Sequence, residues 1–423
     1  MNPSYRRLNL IVSMALAIGL LVSAMPARAI DLTNGDWKFS VNGNVNVHYI
    51  YSSCESASSA SNVAGGLACV GSASSTSTSS VANGLLPAAI TFGIATTQAG
   101  IDMAAHFGLY PGIVTNDGGS PNLQQNRQLI GTNSGLGTTG LDVRQVYMTF
   151  GNKTMGTFTL GRNFGLFGFD AIINDMTIPG VGVAGSMSGP TPANTSLGSI
   201  GLGYIYTDTY AQMNYTTPDY SGLNFTFGIF NPLNSISEPG PALNKGAPGV
   251  HGKVAYSTSF SDANKLYLSA TFLTQKNAYG TGPGTSASYT STGFDATAKF
   301  DVGGLSLLGS YYHGSGMGTT ALFLLDVDAA GHKRDSDGYL AQVTYKTGDV
   351  KFGVNYGVSN LDLASGEVAP TLVKSNSKIT AGVYYSLTKN LTVLGEISSV
   401  EAKAHDGDKN KSNNFNVGVF LAF

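Results

Sequence analysis

The chain alternates apolar and polar residues from Asp36 to its C-terminus, in segments of about ten residues. Residues 350–359 show the pattern clearly, with apolar side chains at Val350, Phe352, Val354, Tyr356 and Val358. A period of two places successive side chains on opposite faces of a β-strand. The pattern therefore predicts an all-β protein whose strands carry one apolar and one polar face.

The connections between these segments alternate between short and long. We predict seven short turns, at residues 98–100, 151–156, 218–222, 261–264, 301–304, 348–349 and 388–390. We predict eight longer loops, at residues 52–85, 111–139, 171–203, 232–248, 277–290, 315–336, 361–376 and 403–412. Together they join sixteen strands, of which residues 205–217 form the least regular. An even strand number with short turns on one side and long loops on the other is typical of bacterial outer-membrane barrels.

The two faces decide between a soluble sandwich and a membrane barrel. The apolar face is aromatic near segment ends, as at Trp37, Phe39, Tyr49 and Tyr51, which suits the aromatic girdles of a membrane barrel. The polar face is small and mostly uncharged, which suits a water-filled lumen. Because an open sheet edge would leave backbone groups unpaired in lipid, we predict a closed transmembrane antiparallel β-barrel of about sixteen strands.

Composition excludes several other classes of protein. Only 11% of the residues are charged and 55 are glycine, which is unusual for a cytosolic domain. The 23 basic and 25 acidic residues leave no cationic surplus for a nucleic-acid partner. The six histidines and two cysteines show no metal-ligand spacing, so we expect no metal, no cofactor and no enzymatic activity.

The N-terminus indicates export. Residues 1–29 contain Arg6 and Arg7, then an apolar run, then Ala27-Arg28-Ala29, which is the layout of a cleaved signal peptide. A short membrane anchor is the alternative. Residues 30–423 would then be the mature barrel, and export permits a disulfide between Cys54 and Cys69 that staples the first long loop.

Two sequence features resemble one family. The last segment ends in an aromatic residue, Phe423, which resembles the C-terminal signal by which outer-membrane barrels are assembled. Residues 144–182, RQVYMTFGNKTMGTFTLGRNFGLFGFDAIINDMTIPGVG, resemble the fourth and fifth strands and third loop of general diffusion porins of Gram-negative bacteria. The likeness is clearest at Gly161 to Gly165 and at Asp175 to Pro179.

The resemblance implies a third loop that folds inward and narrows the pore. It matches Arg162 to a wall arginine and Asp175 to a loop acid, and Asp170 lies on the same loop. Gly180 stands where the family has a second acid, so this constriction is less acidic and more apolar. Arg162 shares strand parity with Phe158 and Leu160, so a bulge near Gly161 would be needed to turn Arg162 inward.

The inward parity also predicts charged residues along the pore wall. They are Lys38, Lys253, Lys299, Lys346, Lys351, Lys378, Asp102, Asp295 and Glu396. In one interpretation they form a mildly cationic lumen that biases which ions enter. In the other they lie near the rims and only keep the barrel hydrated.

Together these observations predict a channel in the outer membrane of a Gram-negative bacterium, through which ions and small hydrophilic solutes diffuse. The resemblance implies a homotrimer, and the expected partners are outer-membrane lipid and the barrel-assembly machinery. Two alternatives remain. One is a substrate-specific channel with an aromatic track at Tyr110, Tyr267, Tyr312 and Tyr384. The other is a barrel with an adhesive or structural surface, for which the Ser/Thr-rich residues 52–80 are a candidate.

Overall fold

The wall of the molecule is one antiparallel sheet. The computed structural model describes residues 30–55, 63–69, 77–113, 141–185 and 194–423, so the predicted signal peptide lies outside the described residues. The strands are β1 (Ile30–Asn34), β2 (Trp37–Cys54), β3 (Ser77–Ala82), β4 (Ala89–Gln98), β5 (Ile101–Pro111), β6 (Leu141–Asn152), β7 (Gly156–Phe164), β8 (Thr209–Thr216), β9 (Leu223–Phe230), β10 (Gly249–Ser261), β11 (Asn264–Gly282), β12 (Thr285–Val302), β13 (Leu305–Ser315), β14 (Asp335–Thr347), β15 (Val350–Leu361), β16 (Val373–Ser386), β17 (Leu391–Ala404) and β18 (Lys409–Ala422). One short helix, α1 (Phe169–Asn174), lies between β7 and β8. No helix among the described residues has the length and apolar character to cross a membrane.

The sheet closes into a barrel because the last strand pairs with the second. β18 pairs with β2 from Ser412 opposite Cys54 to Ala422 opposite Asn44. β3 and β4 both pair with β2, at its two ends, so they are two pieces of one barrel strand. β1 pairs only with the first residues of β2, so it adds no further position to the ring. The barrel therefore has sixteen strand positions, which confirms the predicted fold and strand number.

The two strand faces differ as the alternation predicts. On β15, Phe352, Val354 and Tyr356 are 42–48% exposed, whereas Asn355 and Ser359, which have the opposite strand parity, are each 1% exposed. The apolar side chains therefore point outward and the polar side chains point into the barrel. This arrangement suits a wall with lipid outside and polar groups inside.

All seven predicted short turns are confirmed, but the predicted loop at 277–290 is wrong. β11 continues to Gly282 and β12 begins at Thr285, so only a two-residue turn remains. The strands persist because Asn277 and Tyr279 keep the alternation and are buried on the inner side. The loop predicted at 403–412 likewise shrinks to a turn over residues 405–408, and the irregular strand at 205–217 is β8, which begins only at Thr209.

The predicted disulfide is present and fastens part of the first long loop to the barrel. Cys54 ends β2 and is bonded to Cys69. Within residues 63–69, the Leu67 amide donates a hydrogen bond of 2.8 Å to Asn376 Oδ1 on β16. This segment packs with loop and strand residues in an apolar cluster that contains Val63, Leu67, Ala68, Val183, Leu197, Leu202, Leu361, Leu372, Val373, Val400, Ala402 and Ala404.

We expect the double substitution Cys54→Ser and Cys69→Ser to lower the free energy of unfolding by about 3 kcal/mol. The bond spans a sequence separation of 15 residues, and a loop of about that length restricts the unfolded chain by about this amount. Denaturant unfolding in detergent, followed by the fluorescence of the single tryptophan, Trp37, measures it. Wild-type protein with reductant is the control and should match the variant. Equal unfolding free energies with and without the bond would contradict the prediction.

Candidate functional site

The long connection between β7 and β8, called the crossing segment below, forms hydrogen bonds with inward-facing residues of the wall. Its described parts are residues 165–185 and 194–208. The Met176 amide donates to Gln342 Oε1 on β14 at 2.6 Å, and Gln342 Nε2 donates to the Asn174 carbonyl at 2.9 Å. Gln342 is buried and alternates with exposed residues, so it faces inward. β14 lies about halfway round the ring from β7 and β8, so the connection bonds a strand far from the two strands that it joins.

Helix α1 begins this crossing beside a buried ion pair. Gly168 precedes the helix in the left-handed conformation, with φ of 75°, which glycine adopts without a steric penalty. The Gly168 amide donates to Asp295 Oδ2 on β12 at 2.7 Å. Asp170 lies 2.7 Å from Lys253 Nζ on β10, and their side chains are 2% and 15% exposed. The structure thus pairs two predicted pore residues, whose charges largely cancel.

Asp175 is buried and surrounded by hydrogen-bond donors. Its Oδ1 accepts from the Thr177 amide at 3.0 Å, from the Thr177 hydroxyl at 2.8 Å and from Asn355 Nδ2 at 3.1 Å. Its Oδ2 accepts from the Tyr204 hydroxyl at 2.9 Å. Burial raises the pKa of Tyr204 well above its usual range, so this phenol stays a donor. With 2% of its surface exposed, Asp175 joins loop segments to β15 and offers little charge to the lumen water.

Glu396 on β17 holds the next part of the crossing. Its Oε2 accepts from the amides of Val181 and Gly182, both at 2.8 Å, and from Asn416 Nδ2 at 3.0 Å. Its Oε1 accepts from the Tyr384 hydroxyl at 2.6 Å. The residue is 2% exposed. Glu396 therefore anchors loop backbone, a role that strand parity alone did not indicate.

The same carboxylate explains the glycine at position 180. A Cβ atom added at Gly180 would lie 2.2 Å from Glu396 Oε1. The space beside Gly180, the position where the family has a second acid, is therefore occupied by the Glu396 carboxylate from β17. Any side chain at position 180 would displace this anchor.

Arg162 does not share the inward face. It is paired with Val146 on β6 and Ala211 on β8, and both of these residues are exposed on the outer face. Asn163, the next residue, is buried and bonds Gln145 Nε2 at 2.8 Å. The Arg162 guanidinium reaches the Thr209 hydroxyl at 3.1 Å. No bulge turns Arg162 inward, because the register of β7 is continuous past Gly161.

Arg144 is an arginine that does lie inside the barrel, and sequence reasoning missed it. A register shift on β6, between the residues that face Gly108 and Leu109, bulges the strand at Arg144. Arg144 Nε lies 2.5 Å from Asp142 Oδ2, and its Nη2 is 3.4 Å from Asn194 Oδ1 in the crossing segment. Its guanidinium also stacks over Tyr110, 5.2 Å from the ring centroid. Arg144 opens the stretch with the family likeness, and that position was the signal that could have identified it.

The other predicted pore residues differ in exposure and in the groups that they contact. Lys378 is 1% exposed and donates to the Thr380 hydroxyl at 3.2 Å. Lys38 pairs with Asp31 at 3.0 Å and Lys299 with Asp301 at 3.8 Å. Asp102 accepts from the Thr97 hydroxyl at 2.6 Å. The remaining two, Lys346 and Lys351, lie on the inner face near the short turn between β14 and β15.

Outer-loop residues are also joined by buried carboxylates. Asp326 accepts from the Ser235 hydroxyl at 2.7 Å and from the Tyr289 hydroxyl at 2.6 Å. Burial raises the pKa of Asp326 to about 6. Arg334 holds Glu367 through two hydrogen bonds, at 2.9 and 2.5 Å, which lower the pKa of that carboxyl. Among the described residues, no group of three or more His, Cys, Asp and Glu side chains is placed to hold a metal ion.

Comparison with known proteins agrees with this architecture. The family model for Gram-negative porins matches residues 13–405. The outer membrane channel DcaP of Acinetobacter baumannii is 13% identical with a TM-score of 0.66, covering 92% of this chain and 99% of that chain. The anion-selective porin from Comamonas acidovorans is 14% identical with a TM-score of 0.58, covering 92% and 100%. OmpT of Vibrio cholerae in its trimer form is 12% identical with a TM-score of 0.51, covering 92% and 99%. No curated protein sequence matches.

We expect Glu396→Ala to loosen the crossing segment without opening the barrel. The substitution leaves the buried amides of Val181 and Gly182 without an acceptor, which costs about 1–3 kcal/mol. Hydrogen–deuterium exchange of the peptide that contains these amides should accelerate about tenfold or more. Glu401→Ala is the control, because Glu401 is on the same strand but pairs with Lys409 at 3.0 Å in the outer part of the wall. Equal exchange of this peptide in both variants would mean that Glu396 does not anchor the segment.

Proposed function

Because the chain belongs to the Gram-negative porin family and is an outer-membrane diffusion channel, we propose that its pore is narrowed by residues 165–185 and 194–208, the third loop. Ions and small hydrophilic solutes diffuse down their gradients past this constriction. The observation that carries the proposal is the set of hydrogen bonds from loop backbone to Asp295, Gln342 and Glu396, inward-facing residues of three strands.

The open part of the lumen has a small polar lining. Inward-facing residues near the short-turn side keep part of their surface exposed, namely Asn42, Thr91, Thr149, Thr159, Thr216 and Thr226. Such side chains form hydrogen bonds with water and leave room for it. They support passage of hydrated solutes beside the third loop.

The constriction selects by width more than by acidic charge. Asp170 is paired with Lys253, and Asp175 and Glu396 are buried and saturated with donors. Hydrogen bonds from protein donors keep such a carboxylate charged, but burial prevents a passing ion from contacting it directly. Asp170 and Asp175, which we predicted as charged residues of the constriction, thus hold the third loop in place.

An aromatic track for a specific solute finds little support. Tyr110, Tyr312 and Tyr384 are 5%, 2% and 3% exposed, so they are covered by other groups. Tyr267 is partly exposed but stands alone among the four. The inner tyrosines therefore act as packing and hydrogen-bonding groups, and a general diffusion path fits their burial better.

The C-terminal residue, Phe423, lies at the seam where the last strand meets β2. Phe423 and Gly43 exchange two backbone hydrogen bonds, at 3.0 and 2.8 Å, at the lower end of the closing seam. We propose that the barrel-assembly machinery binds the strand ending in Phe423 before β2 replaces it, and that outer-membrane lipid surrounds the finished wall.

Measured along its strands, the barrel wall is shortest at β7, β8 and β9. We propose that this face of the barrel contacts a second copy in a homotrimer. These strands have 9, 8 and 8 residues, against 19 in β11. A membrane-spanning strand needs about 9–11 residues, and an outward arginine such as Arg162 costs roughly 2–4 kcal/mol at the bilayer midplane. Contact with a neighbouring subunit covers the short strands and keeps Arg162 away from lipid. The trimer form of the Vibrio cholerae OmpT structure supports the same assembly.

We expect a bulky thiol reagent attached at Ile173→Cys to reduce single-channel conductance in a planar bilayer. Ile173 lies on α1 with part of its surface exposed, so an added group would obstruct the proposed constriction. Both native cysteines are in the disulfide and do not react. Val354→Cys, on the lipid-facing side of β15, is the control and should conduct normally after modification. Unchanged conductance in fully modified Ile173→Cys would contradict a third-loop constriction, and absence of conductance in the wild type would contradict the channel.

We expect Arg162→Ala to lower the fraction of trimer in mild detergent. The Arg162 side chain leaves β7 on the outer face and is partly exposed at the proposed subunit contact, so its removal weakens association but leaves the barrel intact. Light scattering after size exclusion measures the mass, and circular dichroism confirms the strand content. Lys153→Ala, in the exposed turn between β6 and β7, is the matched control. A wild-type monomer, or a trimer unaffected by Arg162→Ala, would refute this contact face.

A further inference from the structure

Two lysines face each other across neighbouring strands inside the barrel. Lys346 on β14 and Lys351 on β15 are direct partners in the antiparallel register, one residue from the ends of their strands. Their inner-face neighbours, Thr344 and Gly353, are buried, which places both lysines on the lumen side. Like charges directly opposite one another destabilise a sheet, so this pair needs a compensating negative charge.

Neither lysine forms an ion pair within the part of the chain that the structure describes. Among the described residues, no Asp or Glu oxygen lies within 4 Å of either amine, whereas Lys38, Lys253 and Lys299 each have such a partner. The Lys351 amine instead lies 4.4 Å from the centroid of the Tyr384 ring. That contact orients the cation but leaves its charge in place.

The nearest acids are already occupied. Tyr384 donates its hydroxyl to Glu396 at 2.6 Å, and Glu396 also accepts two loop amides. Its negative charge is stabilised by these protein donors and offsets part of the positive charge of Lys351. Lys346 and Lys299 on β12 act on Lys351 in the opposite sense, although Asp301 lies 3.8 Å from Lys299.

Both amines can be reached from the lumen. Lys346 is exposed and Lys351 is partly exposed, at the end of the barrel that carries the short turns. Short turns lie on the periplasmic side of such barrels. A cluster of one sign beside a low-dielectric wall focuses the field and raises the local concentration of the opposite ion.

We propose that Lys346 and Lys351, reinforced by Lys299, form a binding site for small organic anions that carry several carboxylate groups, at the periplasmic mouth of the pore. The inference rests on the proposed channel and names the solute class that it favours. Two neighbouring ammonium groups match two carboxylates of one solute, and neither amine has an ion-pair partner among the described residues. Monovalent anions benefit from the field but cannot engage both amines.

The test uses the full-length protein in a planar bilayer with citrate as the probe. In potassium chloride, citrate should reduce the wild-type current, and the half-blocking concentration should rise about tenfold in the Lys346→Gln/Lys351→Gln double variant. Under a salt gradient, the zero-current potential of this variant should also move toward cation preference. Lys346→Arg/Lys351→Arg keeps both charges and should retain the block.

The matched control is Lys409→Gln/Lys411→Gln, which removes two lysines that pair with Glu401 in the outer part of the wall. It should be blocked like the wild type. Equal block in the Lys346→Gln/Lys351→Gln variant, or no block of the wild type, would overturn the anion site while leaving the channel itself intact. Loss of all current in the wild type would refute the channel and is thus distinguishable.

Discussion

This structure depends on the rule that no backbone polar group can stay unpaired inside a lipid bilayer. A sheet obeys the rule only when it has no free edge, and here β18 and β2 remove the edge by pairing over eleven register positions. The last residue, Phe423, completes the seam through hydrogen bonds with Gly43. Closure then determines everything inside, because it creates a lumen whose walls must face water or other protein.

Buried carboxylates hold the third loop against inward-facing residues of the wall. Asp295, Asp175 and Glu396 each accept hydrogen bonds from backbone or side-chain donors of the third loop. A charged acceptor strengthens a hydrogen bond and satisfies amides that would otherwise be buried without a partner. Three acids that look like pore charges in the sequence therefore serve as anchors for the third loop.

Strand parity correctly predicted which face of a strand a side chain occupies, but it could not identify the residues that the side chain contacts. It predicted that Arg162 shares a face with Phe158 and Leu160, and the register of β7 agrees. The family likeness favoured an inward Arg162, yet the inward arginine is Arg144, which a bulge in β6 places beside Asp142. Composition misled at residues 277–290, where glycine and proline indicated a loop although the alternation continued through Tyr279.

By itself the sequence determined the barrel, its sixteen strands, its seven short turns and its disulfide. These follow from a period of two, from turn-forming residues and from export, all of which are read locally along the chain. Only the tertiary structure decided which charges are neutralised and which face water. The Val181 amide and its acceptor Glu396 are 215 residues apart in the chain, and a contact over that distance exists only after the sheet has closed around the loop.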